Sequence, residues 1–577
     1  MNARISVLLC ATLSSFALPA VAVDLIVHNG KIHTAEPGQS LQQAMAVEDG
    51  KIKAVGSNND ILALKTATTT VLDLDGKVLM PGLIDTHSHV IYGGLELASA
   101  SLDTEFIGFD ELEQRLLAWR EDGRAWHGDI LSVSGLPSAY WSHVAEFEQR
   151  FNQGQWRDIP IAFIGWDHHT GWVNRPMLQR TKITADTVRA LEGEALATIG
   201  HHPDMRPNGF LADAGLDAVL AQFPAATEAQ LLAAGRAALT YNHSLGITAW
   251  MDPAANGAPG EPLFDLKPTA QNIGILPVYK TLAEHGELNA HVAALLVAHP
   301  RSTPDDLEVI EQVRQQFQNL PGLTLPGIKI FADGVPEYPA QTAAMLEPYK
   351  NSLKYGELLI DPEHFGELVS AADARGWLVH IHAIGDRAVR ESLNGIEQAR
   401  LARASNIAHS ITHLQMVNPK EFARFKPLNV IASMQLYWAM ADDNSIDLVQ
   451  PYISAMAFRF QYPARSLHKA GATIAGASDW PVTTPDPWKA IYQGISRKGP
   501  KGLLAASEAL DRETLFAAYT LNAARALMLE DKIGSLAPGK QADFIVLDRD
   551  VLSVEPEALQ GTQVLKTFFA GREVFSR

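Results

Sequence analysis

From Val23 to Leu79 short apolar runs alternate with polar turn residues: Leu25-Ile26-Val27, Ile32, Ala44 to Val47, Ile52 and Val71 to Leu74, several of them bounded by Asn29-Gly30, Asp49-Gly50 and similar pairs. Runs this short, ended by residues that tolerate positive φ, predict β-strands joined by tight turns, here a small β-sandwich. The same pattern returns in Ala542 to Leu547 and Val564 to Phe569, before a Gly571-Arg572 turn. Chain ends often lie close together, so the two terminal segments are expected to complete one sheet.

Between them, strand-like runs alternate with amphipathic helical stretches. Strands are predicted over Gly82 to Ile84, Ile130 to Val133, Ile161 to Ile164, Ile247 to Met251, Ala290 to Val297, Ile328 to Phe331, Leu378 to His382, Ile411 to Leu414, Val430 to Met434 and Thr473 to Gly476. Helices are predicted over Glu111 to Trp119, Glu228 to Ser244, Pro304 to Phe317, Glu363 to Ala374, Arg387 to Arg400 and Arg512 to Leu527. This alternation predicts an α/β fold, most economically a (β/α)8 TIM barrel. The strand candidates exceed eight, so part of the segment around 105–225 is expected to be an insertion. The predicted organisation is a signal peptide (1–22), the first part of the sandwich (23–80), the barrel with its insertion (81–530) and the second part of the sandwich (531–577).

Composition agrees: 47% of the 577 residues are hydrophobic and 19% charged, which excludes disordered and collagen-like chains. A net charge of −18 argues against nucleic acid and anionic membrane surfaces as partners; the small-molecule substrate expected of this chain follows from the resemblance given below. The sole cysteine, Cys10, falls in a segment of secretory type: Arg4, an apolar run from Ile5 to Leu18, Pro19, then Ala20-Val21-Ala22. Cleavage is expected after Ala22, with a periplasmic or secreted product. The run is shorter than the ~18 to 20 apolar residues a membrane span needs, so no stable insertion is expected after cleavage. Beyond the signal the chain has no disulfide, thiol nucleophile or cysteine metal ligand. A metal would need histidine and carboxylate ligands.

Pro81 to His89 runs a predicted strand into His87-Ser88-His89. Alternate residues of an extended chain face one side, about 7 Å apart, so the two imidazoles can share a metal. Catalytic groups of TIM barrels lie at the carboxyl ends of the strands. Three further predicted strands end in polar residues: Leu378 to Asp386 carries His380 and His382, Ile411-Thr412-His413 ends in histidine, and Ala475 to Pro481 carries Asp479 and Trp480. Four such ends in chain order point to a metal held by histidine and aspartate.

With these segments the chain closely resembles the amidohydrolase superfamily over essentially its whole length beyond the signal, including Asn29 to Ile32, Asp49 to Ile52, Pro81 to His89 and Gly534 to Asp543. It is most similar to the YtcJ-like branch, which includes N-substituted formamide deformylases, through Asp167 to Asn174, Ile328 to Gly334, Thr342-Ala343-Ala344 through Pro348-Tyr349, and His382 to Ala388. The resemblance implies a further ligand, Lys329, carboxylated by CO2 to N6-carboxylysine so that its carbamate bridges two divalent ions, taken as Zn2+. It assigns His87, His89, Lys329 and Asp479 to one ion and Lys329, His382 and His413 to the other, with His380 competing with His382. A carbamate would also remove the cost of an ammonium buried between Ile328 and Ile330. The implied reaction is hydrolysis of a C–N bond in an amide, N-substituted formamide or carbamate-like compound by water activated between the ions, with Asp479 as general base and then acid. Relatives are often dimeric, which makes a homodimer the assembly to test.

His169, Trp172 and Asn174, within a matching motif, and Trp480 are the expected substrate contacts. Trp166, Trp250, Tyr338, Tyr437 and Trp438 are further candidates for an apolar lining. Leu436 after Gln435, Val335 to Tyr338, and His201 to Asp204 depart from the family's pattern and leave the substrate open. Three alternatives stand beside the amidohydrolase: a mononuclear deaminase without the bridging lysine, a lactonase or esterase (a phosphotriesterase included), and an exported sensor or exoenzyme regulator with a vestigial site.

Overall fold

A computed structural model describes residues 23–39 and 41–577; the expected signal peptide, with Cys10, lies outside the described residues. Eight parallel strands form one sheet in which spatial order follows chain order: β1 (Leu83–Asp85), β2 (Ile247–Asp252), β3 (His291–Val297), β4 (Leu323–Phe331), β5 (Leu378–Ala383), β6 (His409–His413), β7 (Val430–Met434) and β8 (Thr473–Gly476). Helices Leu276–Glu284, Asp306–Gln316, Phe365–Ala374 and Asp386–Ala402 follow β2 to β5 and cover the outside of the sheet. Both faces of such strands are enclosed, so they are continuously apolar: Val292 to Val297 are all buried. The first and last strands meet where the Thr86 N–H donates to the Gly476 carbonyl at 3.0 Å and the Thr86 hydroxyl donates to the same oxygen at 2.9 Å. The sheet is a TIM barrel.

One helix departs from the sequence expectation. The stretch from Arg512 to Leu527 is two helices, Arg512–Ala518 and Leu521–Ala526. The Tyr519 carbonyl accepts from the Ile84 N–H of β1 at 2.9 Å, and Thr520 leaves helical geometry at φ −130°, ψ −102°. A hydrogen bond to the barrel outcompetes continuation of the helix, which no local propensity signals.

Between β1 and β2 the chain leaves the barrel and builds a six-stranded mixed sheet from Trp126–His127, Ile130–Leu136, Ile161–Gly165, Thr170–Val173, Ile199–His201 and Pro207–Ala212, returning through helix Glu228–Ser244. Its strands are apolar on both faces. Leu131, Val133, Phe163 and Trp172 pack with Phe147 and Phe151, while Ile130, Ala162, Ile164 and Val173 pack with Met177 and Val188. The strand candidates for which the barrel has no room, Ile130 to Val133 and Ile161 to Ile164, are central strands of this sheet.

The described ends of the chain meet in two packed sheets. Leu25–His28, Ala44–Glu48, Lys51–Gly56 and Thr70–Asp73 form one; Val78–Pro81 pairs antiparallel with Phe544–Leu547 in the other. Phe544 stacks on Phe568 with ring centroids 4.3 Å apart, and both pack with Val27, Val47 and Leu79. His291 Nε2 of β3 lies 2.9 Å from Asp543 Oδ2, tying the barrel to the segment that enters this sheet. Phe544→Ala opens a cavity in a core built from both ends of the chain, with an expected loss of about 3–5 kcal/mol. Urea denaturation followed by tryptophan fluorescence should show a lowered midpoint, and an unchanged midpoint would refute a stabilising role for this packing.

Candidate metal centre

His87 and His89 follow β1, Asp479 follows β8, and the seam of the barrel brings them together. Asp479 Oδ1 lies 3.3 Å from His87 Nε2 and 3.4 Å from His89 Nε2. One ligand atom from each of the three falls within 4.8 Å of the others. The chain is bent to present them. Asp479 and His413 adopt φ +59° and +75°, left-handed conformations uncommon for non-glycine residues, which turn each strand end toward the barrel mouth. Asp85, unremarked in the sequence reading, clamps the seam: its Oδ1 accepts from the N–H groups of His87 and Ser478, both at 3.1 Å, and its Oδ2 accepts from the Ser478 hydroxyl.

Lys329, His382 and His413 come from β4, β5 and β6 and face the same cavity. Lys329 is buried, with Nζ 4.9 Å from the Phe331 ring and no hydrogen bond or ion pair among the described residues. Burial depresses its amine to about 7, against the opposing pull of Asp479. The His382 and His413 rings are 4.5 Å apart; His413 Nδ1 lies 3.1 Å from Gln435 Oε1, and its ring stacks on Trp438. Burial, aided by the charge of Lys329, lowers His87 to about 3 and holds His382 well below the usual imidazole range. Burial and then His382 hold His413 low as well. Burial raises the Asp479 carboxyl, but His87, His89 and His413 outweigh it and keep it ionised.

Neutral imidazoles beside a carboxylate, with ligand atoms converging and a buried amine that has no hydrogen bond or ion pair among the described residues, fit a divalent cation of zinc type. His380 is separated from His382 by depth. Its Nε2 lies 2.7 Å from His87 Nδ1 and its Nδ1 2.6 Å from Ser410 Oγ, so both nitrogens are engaged below the cavity, where they orient His87.

A cavity of about 1320 Å³ opens above these residues, walled by the barrel mouth and by the inserted sheet. Of the expected substrate contacts, His169 lines it, as do Trp166, Tyr437 and Trp438. The others lie elsewhere. Trp172 is fully buried in the inserted sheet, stacked on Phe147 and donating to the Asn208 carbonyl at 2.9 Å. Asn174 is also buried: its Oδ1 accepts from the Ile161 N–H at 2.9 Å and from the first turn of helix Arg175–Arg180. Trp480 packs against Gly93 and Tyr241, outside the cavity wall. Trp250 is core, and Tyr338 stacks on Tyr452 at the surface. The sequence reading missed Glu96 and His168, which line the cavity with His168 Nε2 3.5 Å from Glu96 Oε1. They come from the barrel and the insertion respectively, so no shared motif announces them.

Residues 70–575 match the family described as "Amidohydrolase family". The putative amidohydrolase YtcJ of Bacillus subtilis is 25% identical over 96% of this chain and 99% of its own length. The N-substituted formamide deformylase of Arthrobacter pascens is 23% identical over 95% of this chain and 97% of its own. The crystal structure of an uncharacterized metal-dependent hydrolase from Pyrococcus horikoshii superposes with a TM-score of 0.69 at 22% identity, over 92% of this chain and 99% of that one. With the metal-ligating geometry at the barrel mouth and a family match over most of its length, the chain belongs to the amidohydrolase family, on its YtcJ-like branch.

Proposed function

We propose that this hydrolase is exported and cleaves the C–N bond of N-substituted formamides or kindred amides with the help of two divalent ions. The observation that carries the reading is the convergence of His87, His89, Asp479, Lys329, His382 and His413 beneath one cavity at the carboxyl ends of the barrel strands. The formamide class is drawn from the Arthrobacter relative, which is similar over nearly its whole length.

When bound, the ions supply a water of lowered pKa and a Lewis acid for the substrate carbonyl. His380 and Gln435 fix the rings of His87 and His413 through the nitrogens that face them. Asp479, ionised and in reach of both His87 and His89, takes the proton of the attacking water and returns it to the leaving amine. Lys329 has its amine depressed to about 7, so roughly half is neutral at that pH, the form that adds CO2. Its carbamate would put negative charge among imidazoles and cations, where the unmodified ammonium has no hydrogen-bond or ion-pair partner among the described residues.

Chelation should abolish turnover of an N-formyl amine, and zinc should restore it; activity in verified metal-free protein would refute the reading. Asp479→Asn and His87→Ala are each expected to lower kcat by about 10²–10⁴-fold. Elemental analysis of the intact enzyme should find about two ions per chain, falling in Lys329→Ala, and metal-free protein given zinc should recover activity faster with bicarbonate than without it. Undiminished stoichiometry in Lys329→Ala, or indifference to bicarbonate, would remove the bridging carbamate. Export predicts a mature protein beginning at Val23, checked by mass spectrometry of the periplasmic or secreted fraction.

A further inference from the structure

One polar group on the cavity wall has a setting that the metal centre does not explain. His169 lies on the turn between Ile161–Gly165 and Thr170–Val173 of the inserted sheet, with Nδ1 2.9 Å from Asp213 Oδ1 and no hydrogen bond to Nε2 among the described residues. Its ring meets Phe264 edge-on at 4.9 Å, and Phe264 meets the His382 ring at 5.7 Å. His169 therefore stands one aromatic ring away from the metal centre. That is too far to touch a scissile bond and close enough to touch a substituent on the same molecule.

Asp213 is held in an unfavourable state to make this pair. Its backbone is at φ +40°, ψ −118°, outside the regions open to L-residues. It precedes helix Ala214–Leu220, where an aspartate ordinarily accepts from a first-turn N–H, yet its side chain makes no such bond. Oδ1 serves His169 instead, the Asp213 N–H donates to the His169 carbonyl at 2.8 Å, and Oδ2 is buried without a partner. Strain, a forgone cap and an unsatisfied oxygen at one residue favour a functional account of the pair.

We propose that the Asp213–His169 pair determines specificity by donating from His169 Nε2 to a carboxylate on the substrate, so that the preferred amides carry an acidic group a few bonds from the scissile C–N bond. The assignment rests on the hydrolase reading of the metal centre and names a substrate class for it. The charges facing His169 are compatible with an anion. Burial disfavours the imidazolium, but the hydrogen bond and charge of Asp213, then Asp167, outweigh burial and lift His169 to about 9. Glu337, after β4, is pushed by burial to about 8 and is protonated at neutral pH. Asp167 is occupied on its own turn, accepting from the N–H groups of His169 and Thr170 and from the Thr170 hydroxyl. Asp217, on the Asp213 helix, is raised by burial, while His168 and His382 are held neutral. Leu263, Phe264, Phe331 and Val335, which line the same cavity, are apolar, so His169 is the cationic donor set beside them.

The test compares N-formylphenylalanine with N-formylphenethylamine, which differ only in the carboxylate, on the metal-loaded enzyme. The native protein should prefer the acid in kcat/KM by about tenfold or more, mainly through KM. The ratio should fall toward unity in His169→Gln. In the native enzyme the preference should persist until the pH passes about 9; in Asp213→Asn, where burial of the imidazole is no longer opposed by that carboxylate, it should fade at lower pH. Equal losses on both compounds in either variant, with the ratio and its pH profile intact, would make the pair merely structural and overturn the proposal. A native enzyme indifferent to the carboxylate would do the same. Quenching of tryptophan fluorescence gives binding without turnover. If neither compound is hydrolysed but the acid binds more tightly to native protein than to His169→Gln, the pair stands and the hydrolase reading fails; equal binding overturns the pair.

Discussion

The site depends on the seam where the first and last barrel strands meet. Thr86 bonds to Gly476, Asp479 N–H to the His87 carbonyl at 2.8 Å, and His89 N–H to the Trp480 carbonyl at 2.7 Å, so the backbone is fastened on either side of the three ligands. Asp85 fastens it again through Ser478, 393 residues away in the chain. Its carboxyl is raised to about 7 by burial, yet three donors satisfy its oxygens. Side chains brought together by rigid sheet edges are held more closely than side chains on free loops could be. The left-handed turns at His413 and Asp479 are tolerated because this surrounding structure over-determines them.

Closing the barrel creates an electrostatic problem that a bound cation would resolve. His87, His382, His413 and Lys329 are all buried around Asp479, and a second carboxyl, Asp333, lies 3.6 Å from His382 but is raised to about 7 by burial. Protonated imidazoles there would repel one another and the lysine, so burial keeps them neutral with lone pairs free. A set of neutral donors around one anion is unsatisfied as a salt-bridge network and well matched as a ligand shell. The fold thus holds in readiness the protonation states that metal binding requires.

Much of this was legible in the sequence, because the barrel repeats one local rule. Apolar strands ending in histidine or aspartate exposed His87, His89, His413 and Asp479, and the surplus of strands exposed the insertion. The limits are equally physical. A period of two puts His380 and His382 on one face but is blind to depth, and depth decides that one supports while the other faces the cavity. The stretch from Asp167 to Asn174 carries folding and chemistry in the same eight residues: Trp172 fills a core and Asn174 ties Ile161 to a helix start, while Asp167, His168 and His169 reach the cavity. Asp213 lies outside every motif. Its partner is 44 residues earlier, and only the pairing of the inserted strands brings the two together.

The division between barrel and insertion separates two demands that conflict when one element must meet both. Ligands need rigid strand ends, neutral imidazoles and near-complete burial, which leaves the metal centre little freedom to vary. Recognition needs variety in shape and charge. The inserted sheet supplies that from a second hydrophobic core, so changes to its cavity-facing turns need not disturb the β1–β8 seam. His169 and Asp213 show the arrangement at its smallest scale: both belong to the insertion, both are fixed by its strand pairing, and they meet the barrel chemistry across a single ring, Phe264. A strained aspartate is more easily accommodated there than beside Asp479, because its backbone cost falls on the insertion's own packing and leaves the geometry of the ligands untouched.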